Sequence, residues 1–131
     1  MPRKTLKERK QPSDSSRNRI RPAYNDLIGI EDPDALMIEI LDLLEEYESA
    51  PEPGKYFVFV YQAKTPGIEY DSNPLVAVTD VFEWGFRGFN YHWGSMRQYT
   101  WNELAGQVYE VYQEELKDLR ALPFGNKRIN N

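Results

Sequence analysis

Residues 55–93 constrain the fold of this chain more than any other stretch, because three runs of strand-forming residues follow one another there with only short turns between them. The first run, residues 55–64, is apolar on both faces, which indicates a strand in the centre of a sheet or one covered by a helix. Residues 75–83 form the second run and residues 87–93 the third. Connections this short cannot cross over to parallel pairing, so the sequence predicts an antiparallel meander.

Turn-forming residues separate these runs. The turn segments are residues 65–67 (TPG), residues 71–74 (DSNP) and residues 84–86 (WGF). Asp71 is expected to hydrogen-bond the backbone two residues further on, which holds its turn in place. Gly88 lies inside a strand pattern and predicts a bulge or a close approach of two backbones.

Two amphipathic helices are predicted on either side of the meander. The first spans residues 34–48, with Asp32 as its N-terminal cap and Pro33 in its first turn. One face of this helix is apolar, and the other carries Glu39, Asp42, Glu45, Glu46 and Glu48. That acidic face is either a solvated surface or a landing site for a basic partner. After a loop at residues 94–99, the second helix is expected to begin at the capping box of residues 100–103 and to end near Ala121.

These elements predict an α+β domain, in which a small antiparallel sheet of three or four strands is packed by two amphipathic helices. Residues 68–70 would supply the fourth strand, and a sheet curled toward a small barrel is an alternative form of the same fold. A chain of 131 residues has room for one small domain. We expect that domain at residues 23–122, followed by a short polar tail at residues 123–131.

A basic N-terminal arm precedes the domain. Residues 1–22 carry eight basic and two acidic groups, a net charge of +6, whereas residues 23–131 carry 8 basic and 19 acidic groups, a net charge of −11. The arm has too few apolar residues to offset the entropy of its own ordering, so it is either a solubilising tail or a segment that orders on phosphate or on an acidic protein surface. Its cations are the candidate partner-binding residues: Arg3, Lys4, Lys7, Arg9, Lys10, Arg17, Arg19 and Arg21. Deletion of residues 1–22 should then leave the domain folded.

The composition excludes several classes of site. The chain has no cysteine, which removes disulfides, zinc–thiolate centres and thiol nucleophiles. No apolar run approaches the roughly 18 residues needed to span a bilayer, and no apolar segment follows the charged N-terminus as it would in a signal peptide. We therefore expect a protein made in the cytoplasm, with no metal, no cofactor, no small-molecule substrate and no membrane partner.

His92, the single histidine, is the obvious candidate for acid–base chemistry. No pattern supplies it with a nucleophile or with further metal ligands, so we expect a structural histidine that hydrogen-bonds the backbone near the meander. Three carboxylates could in principle pair for glycoside hydrolysis, but their spacing is not specific to that reaction: Asp71, Asp80 and Glu83. No catalytic residue is assigned.

Aromatic side chains make up 14% of the chain, and their abundance requires an explanation. Bases stack on aromatic residues of small sheets in some nucleic-acid-binding domains, and Arg87 and Arg97 lie among the aromatics here. The acidic body would repel a phosphate backbone, however. Packing in the core and in protein–protein interfaces is the favoured interpretation.

Several motifs resemble those of small virion proteins of tailed phages. They are residues 70–75 (YDxxPL), residues 88–92 (GxNxH), Arg97, residues 97–103 (RQYTWNE) and residues 118–125 (DLRALPFG). The last two are similar to structural proteins of T4-like cyanophages, of the myovirus type. The resemblance covers residues 55–125 and transfers no catalytic residue; it implies a component of a contractile tail, baseplate or neck. Relatives of this type often have paired tyrosines before the aspartate, where this chain has Glu69-Tyr70.

The leading functional hypothesis is a non-enzymatic structural protein of a phage particle. Its basic arm would dock on acidic neighbouring subunits, and its aromatic and acidic surfaces would meet other virion proteins in a symmetric assembly. The alternative is a nucleic-acid-binding module that uses the arm for phosphate and exposed aromatics for bases. A small enzyme acting through His92 is the third hypothesis.

Overall fold

The computed structural model describes residues 17–45, 47–48, 50–125 and 127–130. Within these residues it contains three short helices, α1 (Tyr24–Ile28), α2 (Pro33–Leu44) and α3 (Leu116–Ala121). The strands are β1 (Tyr47–Glu48), β2 (Tyr56–Tyr61), β3 (Ile68–Asp71), β4 (Leu75–Val81), β5 (Gly85–Asn90), β6 (Ser95–Thr100), β7 (Leu104–Val111) and β8 (Lys127–Asn130). No helix in this described part of the chain is long and apolar enough to cross a membrane. The predicted α+β class is confirmed.

Six strands form one antiparallel sheet in the order β1-β7-β2-β4-β5-β6. Strand β2 lies between β7 and β4, as expected for a run that is apolar on both faces. Phe57 and Phe59 enter the hydrophobic cluster on one side of the sheet and Val58 the cluster on the other, and all three are fully buried. Strands β2, β4 and β5 form the predicted meander, β6 extends it at one edge, and the sheet is wider than three or four strands.

Each face of the sheet covers its own hydrophobic cluster. On one face the helices and both terminal segments pack against Val58, Leu75 and Val111. On the other face the rings of Phe59 in β2 and Tyr99 in β6 have centroids 5.2 Å apart, although β4 and β5 lie between their strands. A flat sheet with strands about 4.8 Å apart would separate them by about 14 Å. The sheet therefore curls strongly around this second cluster, in the barrel-like form.

Helix α2 begins as predicted. The Asp32 carboxylate accepts hydrogen bonds from the backbone N–H groups of Asp34 and Ala35, and Pro33 occupies the first turn. These contacts satisfy amides that a helix start otherwise leaves unpaired. The helix ends at Leu44 rather than at residue 48, because the backbone turns at the next residue, where φ is 56°.

The second predicted helix, from residue 100 to Ala121, is wrong over most of its length. Only its end is helical, as α3, and Leu104–Val111 forms strand β7, which pairs with β2. The capping box does not form, because the Thr100 hydroxyl hydrogen-bonds the Glu103 carboxylate instead of a backbone amide. Val108 and Val111 fit a helical stripe, but in β7 they point to opposite faces of the sheet, one into each cluster. Strand β2 needs a partner on its second edge, and β7 supplies that partner.

Three other boundaries differ from the prediction. The predicted loop at residues 94–99 is strand β6, and the hairpin turn lies at residues 82–85, where the Phe82 N–H donates to the Gly85 carbonyl at 2.7 Å. The predicted polar tail contains Phe124, which is fully buried, and strand β8, which pairs with β3 as a separate two-stranded sheet. The C-terminal segment is thus part of the packed structure.

The N-terminal boundary also differs. Arg19 and Ile20, which the sequence places in the arm, are 1% and 0% exposed. The packed part of the chain therefore reaches back at least to Arg19. A deletion that spares the domain has to end before that residue, at residue 16 rather than at residue 22.

Candidate functional site

Three of the eight candidate cations of the arm lie within the described residues, and all three contact the domain. The Arg17 guanidinium lies 3.9 Å from the centroid of the Tyr112 ring, and Arg21 pairs with Asp118 at 3.1 Å on the surface. Burial works against the charged form of Asp118, but hydrogen bonds from Arg21 and Asn18 outweigh it and hold the pKa of Asp118 below its usual value. The other five candidates lie outside the described residues: Arg3, Lys4, Lys7, Arg9 and Lys10.

Arg19 is the most extensively bonded of these cations. Its Nε and Nη2 atoms each lie 2.8 Å from a Glu115 carboxylate oxygen, and both side chains are almost fully buried. The guanidinium also donates to the backbone carbonyls of Leu44 and Glu110, and Glu115 accepts the N–H of Tyr112 at 2.9 Å. This cluster joins the N-terminal segment to the end of α2, to β7 and to the turn before α3. Arg19 therefore binds within its own domain.

The lone histidine is paired with a carboxylate rather than with the backbone. His92 Nδ1 lies 2.6 Å from Asp71 Oδ2, and Asn90 Nδ2 donates to the same oxygen at 3.3 Å and to the Tyr99 hydroxyl at 3.0 Å. Asp71 ends β3, Asn90 ends β5, Tyr99 belongs to β6, and His92 lies in the turn between β5 and β6. Three strands thus meet at one polar cluster.

Asp71 and Asn90 also shape the turns that follow them. Asp71 Oδ1 accepts the backbone N–H of Asn73 at 3.0 Å, which confirms the predicted bond two residues further on. Asn90 Oδ1 accepts the N–H groups of His92 and Trp93 at 2.8 and 3.0 Å. The cluster therefore clamps the small β3–β8 sheet to the meander.

The pairing of His92 with Asp71 has the form of an acid–base dyad, but its geometry favours a structural role. A carboxylate at Nδ1 places the proton of a neutral imidazole there and leaves the lone pair on Nε2. That Nε2 atom is buried, and it hydrogen-bonds no group among the residues that the structure describes. Burial raises the pKa of Tyr99 well above its usual value, so its hydroxyl stays protonated.

The three carboxylates considered for glycoside chemistry lie in different surroundings. Asp71 is buried in the polar cluster, whereas Glu83 lies at an exposed hairpin tip. Asp80 lies on the surface, where hydrogen bonds from Thr79 and Arg87 hold its pKa below the usual value. In the described ranges no group of three potential metal-binding side chains occurs.

A cleft of about 770 Å³ opens beside the His92 turn, and its lining is cationic and aromatic. Residues that line it include Tyr91, His92, Trp93, Lys117, Arg120 and Lys127. The Arg120 guanidinium lies 4.9 Å from the Tyr91 ring centroid, and Lys127 Nζ lies 5.3 Å from the Trp93 ring centroid. No described carboxylate lines this cationic cleft. On a protein with a net charge of −5, such a surface selects for anions.

A second groove, of about 630 Å³, runs beside α2 and is acidic. This α2 groove is lined by Ile38, Glu39, Leu41, Asp42, Glu45, Tyr47 and Tyr109. Ile38 is 67% exposed and Tyr47 is 58% exposed, so the groove presents apolar side chains to solvent between its carboxylates. Within the described ranges none of the three carboxylates forms an ion pair.

Phe82 and Trp84 form an aromatic tip on the β4–β5 hairpin. Their rings stack with centroids 4.9 Å apart and an interplanar angle of 7°, and both side chains are more than a third exposed. Trp101 holds the tip in place, because its Nε1 donates to the Glu83 carbonyl at 2.7 Å and its N–H to the Trp84 carbonyl at 3.2 Å. Rigid, exposed aromatics of this kind anchor protein–protein interfaces.

The sequence indicated the acidic face of α2 and the excess of aromatics, but it did not indicate the cationic cleft. Lys117 and Arg120 come from α3, and Lys127 comes from β8, which the sequence assigns to a polar tail. Only the pairing of β8 with β3 brings the tail to this side of the domain. The spacing of Lys117 and Arg120, three residues apart on one helix face, was the available signal.

Comparison of the chain with protein-family models, with curated proteins and with solved structures finds no match. The aromatic tip, the α2 groove and the cationic cleft are therefore the features from which a function has to be inferred.

Proposed function

We propose that this chain is a non-enzymatic structural component of a tailed-phage virion, in the tail, baseplate or neck, and that it docks on neighbouring subunits. The observation that carries the proposal is the aromatic tip of Phe82 and Trp84. A stacked pair that two hydrogen bonds already hold in place loses little conformational entropy when a partner covers it. The assignment to a virion rests on the resemblance of residues 55–125 to cyanophage structural proteins.

Two other regions support docking rather than turnover. The basic arm and the α2 groove carry opposite charges and offer contacts for different neighbours, as a head-to-tail interface requires of each subunit. The polar cluster at His92, in contrast, has its remaining ring nitrogen buried. The arm, the α2 groove and the aromatic tip thus offer surfaces for protein contacts.

The test is incorporation of the chain into particles of the virus that encodes it. Tagged variants are supplied during infection, and the particle-bound protein is quantified after purification. Trp84→Ala should lower incorporation by about 30-fold, because truncation of an aromatic anchor costs about 2 kcal/mol or more. Met96→Ala, at an exposed apolar residue of edge strand β6, is the matched control and should change incorporation by less than about threefold. Equal effects of the two variants, or particles without the wild-type chain, would contradict the proposal.

Deletion of residues 1–16 tests the contribution of the arm. Because the described core begins after this segment, the shortened chain should keep the thermal midpoint of the full chain. Its incorporation should nevertheless fall, since the deletion removes five of the arm's cations. Normal incorporation of the folded, shortened chain would remove the arm from the proposal.

The cationic cleft favours a second function, a nucleic-acid-binding module. Lys117, Arg120 and Lys127 would contact phosphates, while Tyr91 and Trp93 offer rings on which bases stack. A labelled single-stranded oligonucleotide is titrated at low and near-physiological salt, and three phosphate contacts predict an affinity loss of about 20-fold for a fourfold rise in salt. A K117E/R120E variant should abolish binding, whereas the control Lys64→Glu, outside the cleft, should weaken it only slightly. No binding near physiological salt would exclude this function.

A further inference from the structure

We infer that the α2 groove is the receptor of the basic arm, and that residues 3–10 (RKTLKERK) are its occupant. The inference rests on the proposed function and deepens it, because it names the segment and the surface through which one copy of the chain docks on another. The arm and its receptor are then both encoded in the same 131 residues.

The groove has the composition of a site for a basic, partly apolar peptide. Ile38 and Tyr47 are the apolar groups that it leaves most open to solvent, and the rings of Tyr47 and Tyr109 lie 5.6 Å apart as one wall. Its carboxylates, Glu39, Asp42 and Glu45, are exposed. A basic peptide with an apolar side chain would neutralise these carboxylates and at the same time shield Ile38 from solvent.

Residues 3–10 match this composition. The segment carries five cations and one acidic residue, with Leu6 as its single apolar side chain between two basic residues that precede it and three that follow it. The cationic cleft would repel such a segment, because its charged lining carries the same sign. Of the two clefts described above, only the α2 groove has the opposite charge.

The position at which the arm joins the domain also favours this groove. The Arg19 guanidinium donates to the Leu44 carbonyl, next to Glu45 of the groove, and to the Glu110 carbonyl, next to Tyr109 of the groove. The Arg19 side chain thus reaches one end of the groove, and the arm leaves the domain one side-chain length away, at Arg17, which contacts Tyr112. From residue 17 to residue 10 an extended chain spans up to about 25 Å, and the groove covers about 10 Å of helix. The arm is long enough to enter a groove on its own domain or on a neighbouring one.

The absence of cysteine makes this contact measurable in the full-length chain. Thr5→Cys introduces a thiol into the arm without changing its charge, and Ile38→Cys introduces one into the groove. The matched control pairs Thr5→Cys with Met96→Cys, because Met96 is an exposed apolar residue on edge strand β6. Disulfide formation is followed under mild oxidation on non-reducing gels. If the arm docks in the groove, the thiol at residue 5 is held near residue 38 at a higher effective concentration than near residue 96. Disulfide formation with the thiol at residue 38 should therefore be about tenfold or more faster than with the thiol at residue 96.

Charge reversal and salt test the cause of this preference. The E39K/D42K change in the groove should by itself remove the rate advantage, the faster disulfide formation at residue 38, and so should the K4E/K7E change in the arm. A variant that carries both changes should form this disulfide at the faster rate again. Glu31→Lys, at an exposed acidic residue outside the groove, is the control and should leave the advantage intact. The advantage should also disappear near 1 M salt, where the Debye length falls to about 3 Å. Equal rates at Ile38 and Met96, or no response to charge reversal, would overturn the inference.

The size of the cross-linked product separates the inference from the proposed function. Disulfide-linked dimers support both, since the arm then reaches the groove of another copy. An exclusive intrachain disulfide supports the α2 groove as the receptor but contradicts docking of the arm on neighbouring copies. Equal rates of disulfide formation at residues 38 and 96 would contradict only the docking of the arm in the α2 groove. The proposed function would remain, because Trp84→Ala tests the aromatic tip independently.

Discussion

Two buried polar clusters hold distant parts of this chain together, and they differ in how completely their hydrogen-bonding groups are paired. In the first, Arg19 and Glu115 bond each other through two nitrogen–oxygen pairs. Glu115 also accepts two backbone N–H groups, and the guanidinium donates to two backbone carbonyls. In the second, His92 Nδ1 meets the Asp71 carboxylate, whereas Nε2 is buried without a partner among the described residues.

The difference shows what each cluster does for the fold. Burial of a charged group costs several kcal/mol unless its hydrogen-bond donors and acceptors find partners. In the Arg19–Glu115 cluster the two side chains bond each other and the backbone groups of the segments around them. It can therefore serve as the permanent attachment of the N-terminal segment. The His92 cluster pairs its groups less completely, because Nε2 has no hydrogen-bond partner among the described residues. Its contribution lies in the turns that Asp71 and Asn90 hold, so the two clusters should respond differently to substitution.

The largest effect is expected at Arg19. Arg19→Met should destabilise the domain by about 3–5 kcal/mol in urea denaturation, because it leaves the Glu115 carboxylate buried without its counter-charge. The R19M/E115M double variant should recover most of that loss, since an apolar pair of similar volume is often neutral. If the single variant lost less than about 1 kcal/mol, or the double variant lost as much as the single, the ion pair would not be the attachment described here.

The second effect, smaller than the first, is expected at Asp71. Asp71→Ala removes the acceptor of His92, Asn90 and the Asn73 N–H, and should cost about 2–3 kcal/mol by the same measurement. Asp80→Ala is the matched control. The Asp80 carboxylate pairs with Arg87 on the surface, where water replaces the lost contact, so this change should leave the urea midpoint nearly unchanged. Similar losses for the two variants would contradict the clamp.

A still smaller effect is expected at Tyr99. Tyr99→Phe removes only the hydroxyl that accepts from Asn90, so the loss should be about 1 kcal/mol. The ring itself remains in its cluster. Two-dimensional NMR of the Asn90 side-chain amide should report the lost bond directly. An unchanged amide signal would show that this hydroxyl is not part of the cluster in solution.

The smallest effect is expected from the exposed continuation of the first cluster, the Arg21–Asp118 pair. The pKa of Asp118 is lower in the folded chain than in the unfolded chain, so the pair stabilises the fold above about pH 4 and loses that effect as the pH falls through the folded pKa. Asp118→Asn should flatten this part of the stability profile between pH 6 and pH 2.5. Because the Arg21 side chain is largely exposed and solvent screens the pair, the change should be small, and a steeper profile in the variant would contradict it.

Local chemistry made part of the fold predictable. The cap at Asp32, the turn bond of Asp71 and the two-faced burial of β2 each depend on residues close together in sequence, and all three are confirmed. The close backbone approach expected at Gly88 is also confirmed, since a Cβ there would lie 2.5 Å from the backbone oxygen of Ala77 on the neighbouring strand. Signals of this kind need no knowledge of distant partners.

The rest of the fold and of the candidate site depends on contacts between residues that lie far apart in the sequence. These parts were predicted wrongly from the sequence or were not predicted. Val108 and Val111 fit a helix and a strand equally well, and only the open edge of β2 decides between the two. The burial of Arg19 depends on Glu115, at the other end of the chain, and a basic residue in a polar segment carries no sign of it. The pairing of His92 with Asp71 needed the register of three strands. In each case long-range pairing overrides local preference.

The order of strands in the sheet also sets the order in which this chain can fold as it is synthesised. Strands β4, β5 and β6 are neighbours both in the sequence and in the sheet, so their hairpins can close while the ribosome is still adding residues. Strand β2 emerges early, but its second edge stays open until β7 has left the ribosome, and chains grow at about 5–20 residues per second. Arg19 has to wait longer still, until Glu115 appears. For several seconds the nascent chain therefore exposes an apolar strand edge, and this interval is when a chaperone would bind it.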